Sequence, residues 1–249
     1  MVKRFNPAHS VKASPVNVAV VGKRNRGKSH ILIQIAKEID QERLLPKAIV
    51  LSSTDGVTGF FRKYFNPSFI YTDFDEETLE KILGVQRKAV SQNKDPRKTG
   101  LLLIIDDSGF DKNFFASRVW RELVMNGRHY GITTLVALQD IGSFSPAVRA
   151  QLDYVVCLNE SFTNGLDRLY RWIFGTYESL AEFKKAHEVI TRNYGAHVFD
   201  NISQGGNDEK ILWYRASHPL PRFKFGSAEY QAYSNKKKKS NKDSGGKKK

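Results

Sequence analysis

The chain has 249 residues, 40% of them apolar, which suits one large α/β domain with a sizeable core. A lone cysteine excludes an internal disulfide, no apolar run reaches the length of a membrane span, and the start MVKRFNPAHS lacks the apolar stretch of a signal peptide, so an intracellular, reducing setting is expected. The formal charge of +14 points to a polyanionic partner, usually nucleic acid, and only +7 of it sits in the last fifteen residues.

Residues 1–14 read as a flexible arm, and Pro15 marks entry into a strand over 16–21. The octet GKRNRGKS, Gly22 to Ser29, follows that strand and opens the amphipathic run HILIQIAKEI, a helix over 28–39. Strand, glycine-bounded loop and helix in that order are the context a Walker A phosphate loop needs. Gly22 and Gly27 are expected to take backbone angles closed to other residues and to leave room for a phosphate. Successive N–H groups of Lys23, Arg24, Asn25 and Arg26 then form an anion nest at a helix start, with His30 adjoining. Lys28 reaches the β- and γ-phosphates, and the Ser29 hydroxyl serves a Mg²⁺ ion. A surface turn that happens to carry these letters is the plain alternative, and the flanking elements weigh against it.

Strands over 48–51 and 69–71 and a helix over 76–91 follow. LLLIIDD, Leu101 to Asp107, is an unbroken apolar strand ending in two carboxylates, as a buried parallel strand with a ligand at its C-terminal edge would be. It reads as a Walker B element: Asp106 on Mg²⁺ opposite Ser29, Asp107 polarising the attacking water. A solvated acidic turn is the rival. A helix near 114–125 ends at Asn126-Gly127-Arg128-His129, where Arg128 is either a helix-end cation or a transition-state arginine. The strand over 134–138 ends in Gln139, an amide placed to sense the γ-phosphate unless it is only a polar strand end. A short helix over 146–151 carries Arg149, the other candidate arginine.

A strand over 154–158 holds Cys157, expected as a small buried side chain. Helical segments near 166–174 and 180–192 and β segments at 197–199 and 211–214 close the folded part. Strands alternating with helices imply a mostly parallel sheet covered on both faces, a P-loop NTPase of the RecA-like (ASCE) kind occupying residues 15–234. Residues 235–249, with eight lysines, read as a disordered tail serving as nuclear-localisation signal, DNA tether or solubilising end.

GKRNRGKS, LLLIIDD, NGRHYGITT and the following Gln139 resemble, in order and spacing, the DNA-packaging ATPases of large double-stranded DNA viruses, the poxvirus-type branch of the FtsK–HerA superfamily. The resemblance runs from Val16 to Leu158. It implies a ring-forming homo-oligomer, pentamer or hexamer, that hydrolyses ATP to drive double-stranded genomic DNA into a preformed capsid, with portal or capsid proteins as partners. It implies work inside infected cells, in a virus factory or the nucleus, or in the virion. By position it puts Lys28 and Ser29 on phosphate and Mg²⁺, Asp106 on Mg²⁺, Asp107 as base and Gln139 as sensor. Asp107 stands where the wider superfamily more often has glutamate, so it is a methylene short for that role. A helicase or plasmid-mobility ATPase shares this core and is the nearest rival. A GTPase lacks its Asn-Lys-x-Asp element here, a small-molecule kinase needs no polyanion-sized basic surface, and a non-enzymatic switch has no use for Asp107 and Gln139.

Overall fold

In a computed structural model that describes residues 2–106 and 112–233, the strands are β1 (Lys3–Arg4), β2 (Asn17–Val21), β3 (Lys47–Ser52), β4 (Ile70–Tyr71), β5 (Leu101–Asp106), β6 (Ile132–Leu138), β7 (Tyr154–Cys157), β8 (Gly195–Asp200) and β9 (Ile211–Arg215). They form one sheet in the order β1-β9-β8-β7-β2-β6-β5-β3-β4. Every pair from β7 across to β4 is parallel, while β8 runs antiparallel to both β7 and β9. This is the mostly parallel α/β sheet expected of a P-loop NTPase. The register pairs Val21 with Leu138, Ile105 with Val136 and Ser52 with Asp106. The C-terminal ends of β2, β6, β5 and β3 therefore share one edge, where ligands gather in such sheets.

Alternation along the strands explains why their sequences are apolar throughout. Val18, Val20, Leu102 and Ile104 face one layer, and Ala19, Val21, Leu103 and Ile105 the other. The first layer is α2 (Lys28–Gln41), preceded in the chain by α1 (Pro7–Ala13). Helix α2 buries Ile31, Leu32, Ile35, Ala36 and Ile39, a 3.6-residue stripe in which each large aliphatic contributes roughly 1.5–3 kcal/mol. The second layer includes the helices Glu76–Gln92 and Arg118–Asn126. Cys157 is fully buried in β7, and burial pushes its thiol pKa up, away from reactivity. No helix among the described residues is long and apolar enough to cross a membrane.

Two expectations need correction. The expected flexible arm over 1–14 is, from residue 2 on, an ordered segment: β1 pairs in parallel with β9, and Phe5, 1% exposed, packs on Tyr154 and Tyr214 at centroid distances of 4.6 and 5.6 Å. Asn6 caps α1 by accepting from the His9 N–H at 3.1 Å, Pro7 starts it, and the Ser10 hydroxyl donates to the Tyr154 hydroxyl at 2.9 Å. The anticipated single helix over 114–125 is two, Lys112–Ala116 and Arg118–Asn126, because the Ser117 Oγ accepts the Trp120 N–H at 3.1 Å and starts a new helix. Asp107 and the lysine-rich tail lie outside the described residues.

Candidate nucleotide site

The loop from Gly22 to Ser29 leaves the central strand β2 at the shared edge. The Gly22 N–H donates to the Leu138 carbonyl at 2.9 Å, and the Leu158 N–H donates to the Val21 carbonyl at 2.8 Å, so β6 and β7 clamp the loop's base. The two glycines do different jobs. Gly27 sits at φ +93° as the N-cap of α2, a left-handed angle that glycine adopts without strain. Gly22 is required instead by crowding, since a Cβ there would stand 2.9 Å from the Leu158 Cβ. The other left-handed position in the loop is Asn25, at φ 57°. The expectation that both glycines serve unusual angles is therefore corrected to one for angle and one for space.

Lys28, 6% exposed, donates through Nζ to the carbonyls of Gly22 at 2.8 Å and Lys23 at 3.2 Å, folding the loop around its own ammonium. The Ser29 Oγ donates to Asp106 Oδ2 at 2.9 Å. Asp106 is 4% exposed at the end of β5, two strands from β2, so this bond ties the Walker A loop to the Walker B strand. A hydroxyl and a carboxylate oxygen side by side, beside a helix N-terminus, are a hard-oxygen pair suited to Mg²⁺. Gln139, exposed, follows Leu138 directly and lies with Gly22, Leu158 and Glu160 around a small cleft. Lys23 pairs with Glu160 at 3.4 Å, which pins the loop's near side to the end of β7.

Arg24, Asn25, Arg26, Gly27, Lys28, Ser29 and His30 line a cavity of about 1070 Å³, and Asp106 reaches it too. Partial burial, and then the facing His218, hold the His30 pKa below its ordinary value, so it is neutral at pH 7. The far walls come from segments to which the sequence reading assigned no role. Thr54, Thr58 and Phe60 close one side; Asn193, Tyr194 and the segment 215–218 close the other. No spacing or composition marks these residues, because strand order alone brings them to the loop.

Neither candidate arginine lines this cavity. Arg128 stands at the opposite edge of the sheet, just ahead of β6, and pairs with Asp153 at 3.2 Å. Asp153 also accepts the Asn17 N–H at 2.7 Å, which makes Arg128 part of the ion pair that fixes the starts of β2 and β7. Arg149 donates to the Phe144 carbonyl at 2.5 Å and stacks over the Trp172 ring at 4.2 Å. Neither Arg128 nor Arg149 therefore serves the cavity of its own subunit, whereas Arg24, Arg26 and Arg215 do line it.

The family model described as Poxvirus A32 protein matches residues 2–183. The uncharacterized protein L437 of Acanthamoeba polyphaga mimivirus is 28% identical over 223 residues, covering 86% of this chain and 77% of that protein. The uncharacterized protein 088R of Invertebrate iridescent virus 3 is 29% identical over 221 residues, covering 87% and 82%. The fold is shared with the genome packaging NTPase B204 from Sulfolobus turreted icosahedral virus 2, solved in complex with AMPPCP, at a TM-score of 0.60 and 16% identity over 85% of this chain and 100% of that one.

Proposed function

The chain belongs to the poxvirus A32 protein family, and from that premise we propose that it is an ATP-driven motor that moves double-stranded viral genomic DNA into a preformed capsid. One observation carries the reading. The Ser29–Asp106 hydrogen bond joins a lysine-closed phosphate loop to an acidic strand end, in a fold shared with a genome packaging NTPase.

The backbone N–H groups of residues 24–29 and the dipole of α2 hold the triphosphate. Lys28 trades the Gly22 and Lys23 carbonyls for β- and γ-phosphate oxygens, so its positive charge is delivered from a prearranged position. Ser29 and Asp106 are the residues that would hold Mg²⁺, which when bound neutralises phosphate charge in the transition state. Asp107, directly after β5, takes the role of base toward the attacking water. Gln139, beside Gly22, takes that of γ-phosphate sensor. Arg24, Arg26 and Arg215 line the cavity but Arg128 and Arg149 do not, so either of these two candidates would serve the phosphates only from a neighbouring subunit in a pentameric or hexameric ring, and Arg149 is favoured. Arg128 is already paired to a buried carboxylate.

DNA is held without sequence reading by lysines and arginines on the phosphate backbone, which matches the +7 outside the tail. The site of action is the infected cell, with capsid or portal proteins as partners. ATP-dependent displacement of a third strand from a DNA triplex, without separation of the duplex strands, tests the motor. Strand separation instead would favour the helicase reading.

A further inference from the structure

We propose that Tyr194 is the platform on which the base of the nucleoside triphosphate stacks, and that the site thereby prefers purines. The inference rests on the nucleotide reading of the cavity and extends it to the end that no motif marks.

The phosphate end of the cavity is fixed by Gly27, Lys28 and Ser29, so the base must lie toward one of the two far walls. Both walls carry an aromatic ring. On one, Phe60 is already flanked by His30, Phe61 and Tyr64 at centroid distances of 5.5, 5.3 and 5.9 Å. On the other, Tyr194 is 71% exposed and has no ring neighbour among the described residues. Its Cδ1 lies 3.8 Å from where a Gly27 Cβ would stand, so the ring begins where the phosphate loop ends.

Tyr194 is also held in an unusual way. Its φ is 60°, and that of Asn193 is 52°. Asparagine tolerates the left-handed region, whereas a bulky aromatic is rarely found there. Three features keep it there. Gly195 passes so close to the end of the preceding helix that a Cβ would stand 2.1 Å from the Ile190 carbonyl oxygen. Gly195 pairs with Arg215 across β8 and β9, and the Arg215 guanidinium donates to the Arg192 carbonyl at 3.0 Å. Beyond β9, the Ser217 N–H and Oγ both donate to Gln34 Oε1, at 3.3 and 2.8 Å, which anchors this wall to α2. An exposed tyrosine serving only as a turn residue would not need a strained backbone braced from two sides. A preordered ring loses little freedom when it takes up a flat ligand. Stacking tolerates any base, and the larger purine face gains more from it.

The test is ATP and inorganic tripolyphosphate binding by the full chain, as wild type, Tyr194→Gly and Tyr194→Phe. Glycine takes a φ of 60° without strain, so Tyr194→Gly removes the ring and spares the backbone. The expected result is an ATP affinity lower by about tenfold in Tyr194→Gly. Tripolyphosphate binding should hold, ATP affinity in Tyr194→Phe should stay within about twofold, and the purine-over-pyrimidine preference should narrow only in Tyr194→Gly. In turnover, most of the loss should fall on KM. Unchanged ATP affinity in Tyr194→Gly, or equal losses for ATP and tripolyphosphate, would overturn the stacking role while leaving the nucleotide site intact. A wild type that binds neither would overturn the nucleotide reading and this inference with it.

Discussion

The Ser29 hydroxyl donates to the Asp106 carboxylate at 2.9 Å, so the two motifs that are far apart in the chain meet through one hydrogen bond. On the proposed reading the two groups act on one ligand set, so their removal should not add. Ser29→Ala and Asp106→Asn should each weaken Mg²⁺-dependent ATP binding by on the order of tenfold, and the double variant little more than either. Asp107→Asn should instead keep binding and lose hydrolysis. Titration of Mg²⁺·ATP against the set checks this; additive losses for Ser29 and Asp106 would show that they serve different groups.

The arginines separate by stability. Arg128→Ala strands the buried carboxylate of Asp153 and should lower unfolding stability by about 1–3 kcal/mol, seen as a shifted urea midpoint. Arg149→Ala should bind ATP, keep most of its stability and lose turnover. Mixing it with Lys28→Ala should restore some hydrolysis, since a mixed ring contains interfaces with both parts intact. No recovery in rings shown to be mixed would remove Arg149 from the catalytic set.

The N-terminal segment is a structural element, and Phe5 is its anchor. Phe5→Ala should cost about 3–5 kcal/mol, as large-to-small changes at buried aromatics do. Denaturant unfolding at pH 7 measures it. A loss under 1 kcal/mol would return residues 1–14 to the status of a loose arm.

Acid should destabilise the protein through a buried histidine pair. His187 Nδ1 and His197 Nδ1 lie 3.4 Å apart, His197 Nε2 is 3.0 Å from the Tyr177 hydroxyl, and the Glu160 N–H donates to His187 Nε2 at 3.3 Å. That chain assigns His187 as donor to His197, both neutral. Burial above all lowers the pKa of His187 to about 4, against the opposing pull of the Glu160 carboxylate. Burial, and then the neighbouring His187, lower that of His197 to about 3. With the unfolded value near 6.5, the unfolded chain binds the extra protons between those limits. Stability is therefore full above pH 7 and falls as pH drops below 6.5, by about 1.4 kcal/mol per pH unit for each histidine. His197→Gln should flatten this slope by about one proton between pH 6 and 5. An unaltered slope would mean that other groups dominate acid sensitivity.

Duplex binding should be independent of sequence and weaken steeply with salt. Truncation after residue 234 should lower affinity without removing duplex stimulation of hydrolysis, because the charge outside the tail is also +7. Loss of all stimulation would make residues 235–249 the principal DNA site.

What the sequence made legible was local. The phosphate loop declares itself because Gly22 to Ser29 stand together between a strand and a helix, and β5 because Leu101 to Ile105 are apolar without a break. Phe5 was not legible, since one aromatic in a polar segment gives no periodicity and its partners Tyr154 and Tyr214 are distant in the chain. The same applies to Tyr194, which reaches Gly27 only through the order β9-β8-β7-β2. The reason for Gly22 was also hidden, because Leu158 crowds it from the neighbouring strand end. Arg128 read as either a helix-end cation or a transition-state arginine, and its partner Asp153, from the loop before β7, was not legible in the sequence.

The most direct measurement is steady-state ATP hydrolysis by the purified full chain, with and without duplex DNA, for wild type beside Lys28→Ala, with thermal melts to confirm that the variant folds. Hydrolysis by the wild type that rises with duplex more than with single strands, and a folded variant without turnover under either condition, is the predicted result. Turnover by Lys28→Ala equal to that of the wild type would contradict the assignment of this loop as the engine of the motor.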